Sequence, residues 1–361
     1  MLSNTTMANI GRFKMDKDCE TIISGVQDFN GDYIKMISRV QRLLIENTEW
    51  FYRYTEYAEK INKNLKTIRE NKQKFHEWSP LYLYMNVTAA KGQGIFSLRY
   101  LGQDVAKLKV APGKITVSTK GFDDNNKLFF GCLIELVDDE WQSDKAASFR
   151  RYFSSPDGVV GKVKKRNEEH RIESMFLTEF EKKKSIDKIL CNIQPVKIAG
   201  IARFQMPTPI SASDINNVKF VGPAGGGIDI MSRIGTGSST KLCIMELKDE
   251  NVSKEPPTKA ILQGLAYAVF IRELLRSKSG EEWWKIFGFS GKLPAQLELY
   301  VTCVMPTSVK NNDMSFGGKI IETGKDSFNL NYVYFVEKNK IKSTETSLKQ
   351  CIVKTHKAQL L

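Results

Sequence analysis

The sequence predicts a mixed α/β protein in two parts, from a long helical pattern, a series of strand patterns and a later alternation of helices and strands. Heptad-like apolar spacing predicts helix over about 34–74, and alternating apolar residues predict a β-rich module over about 80–140. A Pro/Gly-rich stretch followed by a basic run predicts a boundary near residue 160, which gives units 1–160 and 161–361. Beyond it the segments follow the order α-β-β-β-α-β.

Composition excludes several classes of protein. Of the 361 residues 41% are hydrophobic and 26% charged, and no apolar run approaches the ~18 residues that a membrane helix needs. The six cysteines are scattered without a C-x-x-C pair, which argues against a zinc, iron–sulfur or redox site. The start of the chain, Met1–Phe13, lacks the apolar core of a secretory signal. We therefore expect a cytoplasmic protein that does not contact membranes.

Basic residues are concentrated in the second half of the chain. The net charge is +13; residues 161–361 hold 31 Lys or Arg against 21 Asp or Glu, and residues 1–160 hold 23 against 20. Such a balance is expected of a protein that binds the phosphate backbone of nucleic acid, although many basic proteins bind none. Charge alone leaves this partner undecided.

The predicted N-terminal helix carries one apolar seam. Its positions are Ile37, Val40, Leu44, Asn47, Phe51, Tyr54, Ala58, Ile61, Leu65 and Ile68. A seam of this length without Pro or Gly predicts one long helix, or two in series, packed against a partner. Two interpretations stay open: a homodimer whose register Asn47 sets, or packing against the helix's own domain.

A β-hairpin is predicted where the apolar runs Ile228–Ile234 and Leu242–Leu247 flank the turn-forming residues Gly235–Ser239. Asp229 and Glu246 are equidistant from the centre of this turn. In a symmetric antiparallel hairpin such positions pair, so the two carboxylates should face each other with β-carbons about 5 Å apart.

Lys248 follows Glu246 by two residues, so strand alternation sends both side chains to one face. Opposed carboxylates repel unless a cation lies between them, and an oxygen-only site suits Mg²⁺. A lysine beside it could orient or deprotonate the attacking water, or steady a phosphate charge. An E-x-K tripeptide alone is weak, since it also fits a charged pair at a strand end, but its position opposite Asp229 favours catalysis.

These residues resemble the PD-(D/E)XK nuclease superfamily. The likeness spans about residues 165–305, rests on residues 227–229 (Gly-Ile-Asp) and 246–248 (Glu-Leu-Lys), and extends to the order of helices and strands. It implies a restriction-endonuclease-like mixed sheet flanked by helices. The proline that names the superfamily is absent before Asp229, where Gly225–Gly227 stands instead.

The next predicted helix adds Gln263 and Tyr267, one turn apart on one face. The pair is similar to the Q-x-x-x-Y element of the RecB-like branch of the superfamily. Its ordinary alternative is a polar pair on an amphipathic helix.

The superfamily also supplies an acid from its first helix. Glu173 is preferred here, because it falls within the apolar arc of that helix; Glu169 and Glu179 are the alternatives, and a salt-bridged surface residue is the ordinary explanation. The three histidines are isolated in sequence and receive no catalytic role, although His170 could lie near the site.

The resemblance implies a nuclease that needs Mg²⁺ or Mn²⁺ and acts on DNA. Asp229, Glu246, the Leu247 carbonyl and Glu173 would bind the metal, Lys248 would assist the attacking water, and Gln263 and Tyr267 would position the strand or brace Lys248. Basic residues expected to contact phosphates are Lys162, Lys164, Lys165 and Arg203.

Two other functions stay open at this point. One is a catalytically silent module of the same fold that binds nucleic acid or protein, against which the opposed carboxylate pair argues because it costs repulsion. The other is an enzyme acting on RNA or on a modified base. Strand type, endo or exo cleavage and pathway cannot be read from the sequence.

Overall fold

The computed structural model describes residues 30–71, 81–88, 95–111, 113–119, 130–154, 168–181, 190–222, 225–249, 256–307, 315–337 and 341–348. They form a mixed α/β structure, as the sequence predicts. Its helices are α1 (Asn30–Glu46), α2 (Glu49–Glu70), α3 (Asp144–Ser154), α4 (Glu168–Glu181), α5 (Pro257–Arg276) and α6 (Gly280–Ile286). In these described ranges, no helix combines the length and apolar character needed to cross a membrane.

The predicted helix 34–74 is in fact two helices in series, α1 and α2, separated at residues 47–48. Asn47 lies at this break, where its Nδ2 donates to the Leu43 carbonyl at 2.8 Å. Trp50 Nε1 donates to the Leu44 carbonyl at 3.0 Å. These side chains satisfy carbonyls that the end of α1 leaves without helical partners, so the break costs little.

The apolar seam is buried within the chain itself. Val40 and Ile61 are fully buried, and the ring of Tyr54 lies edge-on to Phe270 of α5, with centroids 4.8 Å apart. Trp283 Nε1 of α6 donates to the Tyr54 carbonyl at 3.1 Å. These contacts favour the intramolecular interpretation, because a homodimer through this seam would have to expose a packed core.

The first sheet has the strand order β5-β4-β3-β2-β1-β8-β7. Its strands are β1 (Leu81–Asn86), β2 (Ile95–Tyr100), β3 (Gln103–Ala111), β4 (Lys114–Ser118), β5 (Asp139–Glu140), β7 (Lys197–Ile198) and β8 (Ala202–Arg203). Strand alternation gives it one apolar face, which includes Leu83, Phe96 and Leu98 in the core with α2 and α3. The other face is more polar.

The second sheet has the order β16-β17-β15-β14-β13-β6, and β18 pairs with β17. Its strands are β6 (Ile193–Pro195), β13 (Ile230–Ile234), β14 (Lys241–Leu247), β15 (Glu298–Pro306), β16 (Ile320–Thr323), β17 (Asp326–Glu337) and β18 (Ile341–Thr346). Strands β6, β13 and β14 are antiparallel, and β14 and β15 are parallel. The parallel pair requires a crossover, which α5 and α6 provide.

The apolar pattern of residues 196–206 predicts the first strand of the α-β-β-β-α-β order, but these residues do not form one strand. The strand that enters the second sheet is β6, and the chain after it turns away to form β7 and β8 of the first sheet. Ala199 (φ 54°) and Gly200 (φ 71°) adopt left-handed backbone at this turn. A non-glycine residue in left-handed backbone is uncommon, so the sequence does not indicate this turn.

The two predicted units are not separated in their packing. Strand β8 pairs with β1, α1 packs on α5, and one apolar core includes residues from both sides of residue 160. The predicted boundary itself lies in 155–167, outside the described residues.

Four short strands form two further antiparallel pairs. They are β9 (Met206–Thr208) with β12 (Gly226–Ile228), and β10 (Ile210–Ser211) with β11 (Lys219–Phe220).

Candidate active site

The hairpin of β13 and β14 has the predicted register. Ile230 pairs with Met245 and Ile234 with Lys241, so Asp229, one residue before β13, faces the end of β14. Its Oδ2 accepts a hydrogen bond from the Leu247 N–H at 2.8 Å. The local pattern of the sequence therefore predicts the register correctly, and the Leu247 backbone lies against the carboxylate.

Lys248 and Glu246 come together at the same end of β14. Lys248 Nζ lies 3.0 Å from Glu246 Oε1 and 3.6 Å from Glu169 Oε1 of α4. Glu246 and Lys248 are both buried, with 2% and 7% of their surface exposed. The Lys248 N–H donates to the Val304 carbonyl of β15 at 2.9 Å, which holds the Lys248 backbone beside β15 just beyond the end of β14.

Helix α4 brings two acids to this end of the sheet, whereas the sequence predicted one, Glu173. Glu169 contacts Lys248. Glu173 is buried, and its carboxylate has two partners: Tyr84 OH at 3.4 Å and His170 Nδ1 at 3.3 Å. Both acids are close enough to raise the Asp229 pKa. The third alternative, Glu179, is buried further along α4.

Sequence reasoning missed the roles of His170 and Tyr84. His170 lies three residues before Glu173, and that helical spacing was a sign that the two side chains meet. Tyr84 left no such sign, because it lies on β1 and reaches α4 only through tertiary packing. The hydrogen bond that the Glu173 carboxylate accepts from His170 raises the His170 pKa, although burial opposes it.

The cluster carries more negative than positive charge at its centre. Desolvation and the nearby carboxylates of Glu246 and Glu169 raise the Asp229 pKa well above its ordinary range, against the Leu247 N–H. Burial opposes the Lys248 charge, but Glu246 and Glu169 outweigh it and raise the Lys248 pKa. A lysine with a raised pKa stays an ammonium at neutral pH, so it acts as a cation and donor.

Helix α5 covers the site with Gln263 and Tyr267. Gln263 Nε2 donates to Tyr267 OH at 3.2 Å, and both side chains are buried. Burial and the charge of Glu246 raise the Tyr267 pKa to about 12. Gly264 allows close contact, since a β-carbon there would lie 3.6 Å from Glu246 Cβ and 3.0 Å from a Val301 methyl. The predicted helix pair therefore packs beside the predicted acid.

Metal donors are present as residue types, but their side chains are not gathered around one point. Within the described ranges, no three His, Cys, Asp or Glu side chains form a group that could hold a metal ion. The counter-charge beside Glu246 is the Lys248 ammonium. The predicted metal set of Asp229, Glu246, Leu247 and Glu173 stays a prediction.

Arg203, which was expected to contact phosphate, lies inside the fold. It is buried, its Nη2 lies 2.6 Å from Glu181 Oε1, and its guanidinium stacks 3.6 Å from the centre of the Tyr82 ring. The paired guanidinium joins β8 to β1 and α4, which makes it structural. Lys162, Lys164 and Lys165 lie outside the described residues.

Comparisons of the chain with protein-family models, with curated proteins and with solved structures found no match.

Proposed function

We propose that this chain is a metal-dependent nuclease of the PD-(D/E)XK type that hydrolyses DNA. The observation that carries the proposal is the β13–β14 register, which brings Asp229 to the Leu247 N–H while Lys248 reaches Glu246. The order α4, β6, β13, β14, α5, β15, with β14 and β15 parallel, supports it. The acids, the lysine and the polar pair of α5 meet at one end of one sheet. An ordinary charged pair on the surface of a strand would not require this arrangement.

The chemistry of the donor set fits a divalent cation. Desolvation and the nearby carboxylates raise the pKa of the half-buried Asp229, and a divalent cation would neutralise the excess negative charge. Asp229, Glu246, Glu173 and the Leu247 carbonyl would hold Mg²⁺ or Mn²⁺, with some rotation of side chains from their present hydrogen bonds. When bound, the ion supplies the charge that polarises a phosphate and lowers the pKa of a water ligand.

In hydrolysis a water oxygen bonds to phosphorus as the P–O bond opposite it breaks, the attacking water gives up a proton to solvent, and the leaving oxygen takes one up. The protein's own groups have distinct tasks in this reaction. The Lys248 ammonium would turn from Glu246 toward a non-bridging phosphate oxygen and offset the charge that develops there. Gln263 and Tyr267 would hold their pair beside Glu246 and orient the strand. The buried walls of β14 and α5 exclude bulk water and strengthen these interactions.

Nucleic acid as substrate is supported by charge. The net charge is +13, and 31 basic against 21 acidic residues lie in 161–361. A phosphodiester backbone is the polyanion that such an excess binds by releasing counterions. The enzyme should therefore bind DNA less tightly as salt rises.

The test is a cleavage assay on plasmid, linear duplex, single-stranded DNA and RNA, each with Mg²⁺, Mn²⁺ or EDTA. We expect DNA cleavage with either metal, none with EDTA, and none by Asp229→Asn, whose amide can still accept the Leu247 N–H. Binding in Ca²⁺ should persist in that variant. DNA binding without cleavage would favour the catalytically silent module, and cleavage of RNA alone would overturn DNA as substrate.

A further inference from the structure

A cavity of about 430 Å³ lies between the polar face of the first sheet and the β9–β12 hairpin. Strand alternation places its side chains on one face: Tyr84 and Asn86 from β1, Ser97 and Arg99 from β2. The opposite wall is Gln205, Pro207 and the backbone of Gly225–Gly227. This volume is within the ~300–1,000 Å³ of small-molecule sites.

Two chemically different groups face this cavity with hydrogen-bonding capacity to spare. Arg99 makes one side-chain hydrogen bond within the described residues, from Nε to Asp104 Oδ1 at 2.7 Å, which leaves the N–H groups of Nη1 and Nη2. Asp104 and the Tyr84 ring, 4.1 Å from the guanidinium carbon, hold it in place. The side-chain amide of Gln205 makes no hydrogen bond within the described residues and offers both a donor and an acceptor.

Gly227 lets that amide approach the backbone closely. A β-carbon at Gly227 would lie 2.9 Å from Gln205 Nε2 and 3.1 Å from its Cδ, closer than packed atoms allow. The cavity is thus lined by one planar amide and one planar guanidinium, both able to hydrogen-bond with the edge of a planar ligand.

The lining favours a heterocyclic base over a phosphate. A phosphate only accepts hydrogen bonds, so it would leave the acceptor oxygen of the Gln205 amide unused. A base presents both donors and acceptors at its edge. Arginine pairs with the O6 and N7 acceptors of guanine, and glutamine with the N6 and N7 groups of adenine, so both free groups suit purines.

The cavity adjoins the candidate active site at two points. Tyr84 lines it and also donates to Glu173. Gly227 lines it, and Asp229 follows two residues later on the same segment. A strand whose phosphate lies at Asp229 would therefore bring a neighbouring base to the cavity.

We propose that this cavity binds one unstacked purine of the substrate strand, beside the phosphate that is cleaved, through Gln205 and Arg99. The inference rests on the proposed nuclease function and adds a base preference to it. Extruding a base from a duplex costs free energy, least in single-stranded or mismatched DNA. Hydrogen bonds in the cavity would offset that free-energy cost only for the bases that fit.

The test is to cleave a randomised DNA oligonucleotide library and sequence the ends. We expect purines at one fixed distance from the cut, favoured over pyrimidines by about ten- to a hundredfold, the range for a bidentate base contact. Gln205→Leu, similar in size without hydrogen bonds, should lose most of this preference. Arg99→Lys, which keeps the charge without the planar fork, should weaken it.

The matched control is Gln142→Leu, the same substitution at an exposed glutamine, which should cut with the wild-type profile. A removed base at the preferred position should slow cleavage there in the wild type and leave Gln205→Leu unaffected. Cleavage with a flat profile, or with a pyrimidine preference, would overturn the base pocket and leave the nuclease standing. Absence of any metal-dependent cleavage would overturn both.

Discussion

Two aspartates of the second sheet have opposite electrostatic surroundings. Asp229, before β13, is half-buried among carboxylates, and these together with desolvation raise its pKa. Asp326, at the start of β17, is 3% exposed and accepts hydrogen bonds from Arg272 Nε at 2.7 Å and Arg276 Nε at 3.1 Å. Burial would raise the Asp326 pKa, but the hydrogen bond from Arg276 and the other donors lower it.

The difference separates stability from function within one sheet. Asp326 also accepts the Leu297 N–H at 2.8 Å, so its charge is matched and ties β17 to α5 and to the start of β15. Asp229 has one backbone donor, the Leu247 N–H, against several like charges. A fold gains nothing from carboxylates that repel, and strongly perturbed carboxylates cluster at functional sites. The contrast therefore favours Asp229 as the functional aspartate.

The largest expected difference between the two clusters is in cleavage rate, and Lys248→Ala tests it. The substitution removes the ammonium that lies 3.0 Å from Glu246 Oε1, so cleavage should slow by about two to four powers of ten in single-turnover assays, the range for one acid–base or electrostatic group. Arg276→Gln, which removes a cation from the Asp326 cluster, should leave the cleavage rate of the folded protein near wild type. Equal losses in both variants would erase the distinction between the clusters.

The next effect is on folding, through Asp326→Asn. It leaves Arg272 and Arg276 without their shared anion, and we expect about 3 kcal/mol less free energy of unfolding by urea denaturation, the low end for a broken buried pair because both arginines are partly exposed. Asp32→Asn, at an exposed pair with Lys35, should change stability by less than about 1 kcal/mol.

The same variant has a pH signature. Because the folded pKa of Asp326 is lowered, its stabilisation is complete above the ordinary aspartate pKa of about 3.9 and is lost as pH falls through the folded pKa. The stability gap between wild type and Asp326→Asn should thus be constant near neutral pH and shrink below about pH 4. A gap that widens in acid would contradict the assigned ion pairs.

The smallest effect is a gain in stability from Asp229→Asn. Measured with EDTA, the free energy of unfolding should rise by roughly 1 kcal/mol, because one of several repelling charges is removed while the Leu247 hydrogen bond can remain. With Mg²⁺ the order should reverse, since the wild type alone gains from binding the ion. Destabilisation in EDTA would show that Asp229 is a structural acid like Asp326.

Local patterns made much of the site predictable. The β13–β14 register follows from strand alternation and a short turn, and the Gln263–Tyr267 contact follows from helical spacing. Both are interactions between residues near in sequence, whose geometry repeats with a fixed period. The class of fold and the order of helices and strands near the site are predictable for the same reason.

The sequence by itself therefore determined which residues share a face of one hairpin or one helix, whereas the tertiary structure decided what each face meets. The heptad seam could serve a dimer or the chain's own core, and the packing of Tyr54 on Phe270 decided for the core. Tyr84 and Glu173, 89 positions apart, meet because β1 and α4 are packed together. Such contacts depend on how whole layers stack, and layer packing leaves no period in the sequence.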